Sequence, residues 1–94
     1  MEPFNEGFDK DIINVDLYSI HTMTYIPDYK ILATANFGEE VILWKFIDQD
    51  VTQCGKLVGH TSQVIAVDYL INSPLIITCD DQGLIKSWDL RNSH

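Results

Sequence analysis

The sequence predicts an all-β protein of short antiparallel strands, arranged as about two repeated four-stranded units. Three observations carry that prediction. Short runs rich in Val, Ile, Thr and Tyr recur along the chain, and these side chains pack well on a pleated, half-buried surface. Clusters of Gly, Pro, Asn and Asp separate the runs and supply the backbone conformations that tight turns need. No window keeps apolar residues at helical spacing over the roughly ten residues that a helix requires.

Residues 1–11 are polar and acidic, punctuated by Pro3 and Gly7, and read as an extended arm carrying two apolar rings, Phe4 and Phe8. Strands are then expected over Ile12–Tyr18, Ile20–Ile26, Ile31–Ala35, Val41–Ile47, Val51–Val58, Val64–Ile71, Leu75–Cys79 and Leu84–Leu90. The breaks fall at Pro27-Asp28, Asn36-Phe37-Gly38, Asp48-Gln49-Asp50, Gly59-His60, Asn72-Ser73-Pro74 and Asp80–Gly83.

The chain aligns with itself without a gap at an offset of 44 residues, the separation of Tyr25 from Tyr69. Thr34 then falls on Thr78 and Trp44 on Trp88, while Ile31-Leu32 falls on Leu75-Ile76 and Asn36 on Asp80. A period in the low forties with four short strands per unit is the requirement of a β-propeller blade. The expected organisation is an arm over 1–11, a first blade over 12–58, and a second blade over 59–94 that lacks its outermost strand. Propellers close with about four to eight blades, so these two form an incomplete ring. Each blade is apolar on both flats and needs neighbours. The chain is expected to be either a segment of a longer propeller or a piece that neighbouring chains complete.

The second unit contains Gly59-His60, Val64-Ile65-Ala66-Val67, Leu75-Ile76-Ile77-Thr78, Asp80-Asp81-Gln82-Gly83 and Trp88-Asp89-Leu90. A Gly-His pair, a V-x-x-V strand, a Thr-bearing strand, an acidic turn closed by Gly and a Trp-Asp ending, in that order, resemble a WD40 repeat. The first unit is a degenerate copy. It keeps Trp44 but has Lys45 where Asp89 stands, and Asp16 where His60 stands. The wording of the second repeat also bears a weaker resemblance to the large WD-repeat proteins of cilia and flagella.

The resemblance implies a buried hydrogen-bond tetrad of His60, Thr78, Trp88 and an acid that is Asp80 or Asp81. The indole N–H needs an acceptor, a hydroxyl accepts it and donates onward to imidazole, and the imidazole donates to a carboxylate. The motif's acid commonly stands just before the turn glycine, where this chain has Gln82. The degenerate blade would keep Thr34, Asn36 and Trp44 of the same set.

Composition narrows the function. Fourteen acids against six bases give a formal charge of −8, which repels nucleic acid and anionic membranes and favours basic protein partners, if charge selects at all. The N-terminus has no signal-peptide pattern, and Cys54 and Cys79 read as reduced thiols, so a cytoplasmic setting is expected, with a cilium or the cytoskeleton as a narrower option. His60, Thr78 and the acids formally spell a hydrolase triad, yet no nucleophile elbow accompanies them, so no catalytic residue is assigned. Asp48-x-Asp50-x-Thr52 lacks the Gly and Glu of a calcium loop, and no Gly-rich phosphate loop is present, so neither a metal nor a cofactor is implied. The expected function is a non-enzymatic protein-interaction scaffold, or alternatively a structural part of a large static complex. Candidate partner-binding residues are Phe37, Glu39, Glu40, Thr61, Gln63, Asp81 and Gln82.

Overall fold

A computed structural model describes residues 20–36 and 38–91. Within them the chain forms seven strands: β1 (Thr22–Ile26), β2 (Ile31–Ala35), β3 (Glu40–Ile47), β4 (Asp50–Val58), β5 (Val64–Tyr69), β6 (Leu75–Asp80) and β7 (Ile85–Asp89). They make two antiparallel sheets, β1-β2-β3-β4 and β5-β6-β7, each a meander of sequential neighbours. The expected strand Ile12–Tyr18 lies outside the described residues.

Strand ends differ from expectation where turn chemistry wins over apolar character. The segment expected to run to Ile71 stops at Tyr69, because the Leu70 N–H reaches back to the Leu75 carbonyl and Asn72 takes a left-handed φ of 64°. Glu40, one residue outside the expected strand Val41–Ile47, is the first residue of β3 and pairs with Val58. Asp80, expected in a turn, is the last residue of β6 and pairs with Val64. The Asp80–Gly83 turn closes with the Gly83 N–H on the Asp80 carbonyl at 3.1 Å, and Gly83 has a φ of 86°.

The sheets stack flat on flat. Alternation along β2 turns Ile31, Ala33 and Ala35 to one side, and their neighbours Val41 and Leu43 on β3 join them. That face meets Val64, Val67 and Ile76 of the second sheet, with β5 lying against β1 and β2. All eight of these side chains are buried. Val64 and Val67 are three residues apart, which in a regular strand would put them on opposite faces. A bulge between Val64 and Ala66 inserts Ile65 as an extra residue and brings both valines to the inner side. A second irregularity, at Leu43/Trp44, leaves Cys54 of β4 without a register partner and exposed.

The opposite flats face outward. On the first sheet these carry Met23, Tyr25, Leu32, Trp44 and Phe46, with Met23 58% exposed and the Tyr25 and Phe46 rings edge-on at 5.9 Å. On the second they carry Ala66, Ile77, Cys79 and Ile85 around a shallow depression of about 120 Å³, with Ile85 67% exposed.

Gly83→Ala forces an L side chain into a left-handed turn and is expected to lower stability by about 1–2 kcal/mol in urea unfolding. Gly38→Ala meets nothing within 4 Å and is expected to shift the midpoint by less than about 0.5 kcal/mol. Equal effects would contradict the turn assignment.

Candidate functional site

The buried polar groups of the second sheet converge at its contact with the first. Alternation along β6 sends Ile76, Thr78 and Asp80 inward together, and Trp88 of β7 lies beside Ile76. His60 arrives from the connection between β4 and β5 and is 4% exposed, while Thr78 is 1% and Asp80 2% exposed. The Trp88 indole N–H donates to the Thr78 hydroxyl at 2.8 Å. Thr78 Oγ1 lies 2.6 Å from His60 Nε2, and His60 Nδ1 lies 2.8 Å from Asp80 Oδ2. A carboxylate accepts, so Nδ1 carries the proton, and Nε2 then accepts from the Thr78 O–H. The relay runs indole to hydroxyl to imidazole to carboxylate, each group meeting the next.

Asp80 also organises its own turn, since its other oxygen accepts the Gln82 and Leu84 backbone N–H groups, each at 3.0 Å. The His60 N–H is the largest influence holding the Asp80 carboxyl below the usual carboxylate range; burial opposes it and the Leu84 and Gln82 amides reinforce it.

Of the two acids left open by the sequence, Asp80 completes the relay and Asp81 does not. Asp81 stands one residue past the inward-facing series 76, 78 and 80, so its carboxylate points elsewhere and accepts from the Ser62 hydroxyl. Its backbone N–H bonds the Gln63 carbonyl at 2.9 Å. Ser62 was not legible as a partner, because nothing in the spacing pairs it with Asp81.

Gly59 has a packing role of its own. A Cβ there would stand 3.1 Å from the Trp88 ring, so glycine lets the chain pass over the indole. Lys86 covers the same ring, its ammonium 5.8 Å from the centroid.

In the first sheet the Trp44 indole N–H donates to Thr34 Oγ1 at 2.9 Å, and the hydroxyl turns to the Ile42 carbonyl at 3.5 Å. The first two members of the relay are present there. Asn36 instead gives its carbonyl to the Gly38 N–H at 2.8 Å. Lys45, where the second repeat has Asp89, donates to the Tyr29 carbonyl at 2.9 Å. Asp89 is held by Arg91 through two side-chain bonds and a backbone N–H, which lower its carboxyl to about 2. Asp16 and Phe37 lie outside the described residues.

The remaining candidates share one end of the sheets. Glu39, Thr61 and Gln82 are exposed, Gln63 is half-buried, and Glu40 pairs with Lys56 at 3.6 Å while staying open to solvent. Both ring nitrogens of His60 are engaged and Thr78 is shut from solvent, so the His60 set presents no reachable nucleophile.

Stacked meanders related by a repeat, with a polar relay sealed between them, are blades of a β-propeller. The blades are of the WD40 type. The crystal structure of Sqt1 from Saccharomyces cerevisiae, a WD40 protein, matches with a TM-score of 0.67 at 20% identity, over 74% of this chain and 19% of that one. In sequence the chain is 26% identical over 88 residues to Elongator complex protein 2 of Saccharomyces cerevisiae, covering 94% of this chain and 11% of that protein. It is 27% identical over 73 residues to human WD repeat-containing protein 97, covering 78% of this chain and 4% of that protein. Protein DSE1 of Kluyveromyces lactis is 28% identical over 79 residues, 84% of this chain and 13% of its own length. The chain thus spans a small part of each of these relatives. No family model matches it.

His60→Ala strands the Thr78 hydroxyl and one oxygen of Asp80, and is expected to cost about 1–3 kcal/mol by chemical denaturation. The acid dependence has a definite sign. A carboxyl lowered in the native state binds fewer protons than in the unfolded chain, so its stabilisation is present above the ordinary value of about 3.9 and is lost as pH falls through the lower native value. Asp80→Asn is expected to be less stable at neutral pH and to lose stability less steeply than the parent as the pH is lowered from about 5 to 2. An unchanged acid limb would rule out the relay's contribution.

Proposed function

We propose that this chain is a non-catalytic scaffold element, a WD40 propeller segment whose loop end holds other proteins. One observation carries the reading: three connections are tied into one rim. The Val64 N–H bonds the Gly38 carbonyl at 2.9 Å, joining the β2–β3 turn to the start of β5. On the other side, Asp81 is bonded to Gln63 through its backbone and to Ser62 through its side chain. The 59–63 connection is therefore held between two turns, and a preorganised rim loses little entropy when a partner lands on it.

Three acids, Glu39, Glu40 and Asp81, are exposed at the rim, with Glu40 paired to Lys56 at 3.6 Å, while the Lys86 ammonium lies over Trp88 beside Gly59. That balance, with the formal charge of −8, suits a basic protein surface over nucleic acid or an anionic membrane. Elongator complex protein 2 is by its name a member of a complex, which supports a place within an assembly here. Two free thiols, Cys54 and Cys79, fit a reducing cytoplasmic setting, and a cilium would be one specialised case of it. The outward apolar flats favour a second reading, a structural part of a static complex whose neighbouring chains cover them.

The scaffold reading is tested by using the immobilised chain as bait and comparing it with Glu39→Lys/Asp81→Lys and with Phe37→Ala. Reversing the rim charge is expected to weaken capture of basic partners at least tenfold, and capture by the parent chain should fall as salt rises. Partners that bind all three proteins equally would argue against the rim.

A further inference from the structure

We propose that Ser62 is a phosphorylation site, through which a protein kinase loosens the rim. The proposal rests on the scaffold reading above and supplies its regulation.

The 59–63 connection is fastened unevenly. At one end His60 is locked into the relay, and just past the other the Val64 N–H holds the Gly38 carbonyl. Between these anchors the bonds of the described residues run to Asp81. The Ser62 hydroxyl donates to its carboxylate, and the Gln63 carbonyl accepts its N–H at 2.9 Å. Ser62 differs from the other bonded Ser and Thr hydroxyls of the described residues. Thr34 and Thr78 are 1% exposed and sealed against indoles, and Ser73 accepts the Leu75 N–H inside its own turn. Ser62 is the one that donates to a carboxylate; it spans two connections, and its bond lies at the surface.

Phosphoryl transfer inverts that bond. Ser62 Oγ attacks the γ-phosphorus of a nucleoside triphosphate held by the kinase. The new O–P bond forms as the bond to the departing diphosphate breaks, and the hydroxyl proton passes to the kinase's base. The product has no hydrogen to donate and carries a charge of about −2. It meets Asp81 as acceptor against acceptor and anion against anion, with Glu39 and Glu40 of the same sign exposed at the rim. Lys56 is already paired with Glu40, and Lys86 stands over Trp88 beside Gly59, back along the connection. The phosphate therefore leaves Asp81, and residues 61–63 lose their hold on the β6–β7 turn. A partner must then order that stretch as it binds, which weakens its grip.

Hydrogen exchange at two amides tests this. The Asp81 N–H depends on the connection, whereas the Gly83 N–H, bonded to the Asp80 carbonyl, depends on its own turn. Ser62→Ala is expected to speed exchange at Asp81 by about tenfold, through loss of the tie. Phosphoserine installed at position 62 is expected to add a further factor of about three, which salt suppresses. Thr61→Asp puts charge beside the tie without cutting it, and is expected to leave Asp81 at the parent's rate. Exchange at Gly83 is expected to stay constant throughout. Equal rates in the parent and phosphoserine chains would overturn the proposal, as would an acceleration by Thr61→Asp that matches phosphoserine. Phosphoserine that behaves as Ser62→Ala at every salt concentration would leave a structural tie only, and the proposal would fall. Mass spectrometry of the protein recovered from its cells is expected to find phosphate on Ser62, and its absence there would also overturn the proposal. Bait capture measures binding separately, so the rim reading can fail while the tie behaves as described, and the reverse.

Discussion

A sheet of three or four short strands cannot shield its own flats, and this constraint shapes the rest of the molecule. The contact of Ala33, Ala35, Val41 and Leu43 with Val64, Val67 and Ile76 removes one flat of each sheet from water. It is also why polar groups can sit between the sheets. Buried so, Thr78, His60 and Asp80 have no water to turn to and must satisfy each other. The relay follows from the stacking and would have no reason to form on a solvated sheet.

In return the relay fixes what apolar packing leaves loose. Dispersion and burial hold the flats together without setting the path of the connections. The His60 bonds tie the β4–β5 connection to β6, and Asp80 closes its own turn with its second oxygen. The first sheet has the tryptophan–threonine pair alone among its described residues, and its hydroxyl falls back on a neighbouring strand's carbonyl. Divergence of the first repeat thus removed the members that anchor loops and kept those that lie within the sheet.

Much of this was legible in the sequence, and what was not has a physical cause. Strand runs, turn clusters and the 44-residue repeat foretold two stacked meanders, since burial on a pleated surface leaves a pattern that propensity can read. Trp88, Thr78 and His60 were identified from their motif, whereas the acid was not. Adjacent aspartates carry the same chemistry, and only the period of two counted from Thr78 separates Asp80, facing in, from Asp81, facing out. The bulge at Ile65 escaped notice because the V-x-x-V spacing shows that something irregular is needed without showing which residue is extra. Glu40 was misplaced by its polarity: a charged residue at a strand end pairs its backbone as readily as an apolar one.

The chain has two tryptophans, and the fold allots one to each sheet, under different conditions. Trp88 packs at the core with a lysine over its ring, whereas Trp44 lies on an outward flat with its indole bonded to a threonine. The protein therefore carries two intrinsic fluorophores of unlike surroundings. Emission from one reports on the closed seam between the sheets, and emission from the other reports on whether anything has settled on the first sheet's free side, with no label needed for either.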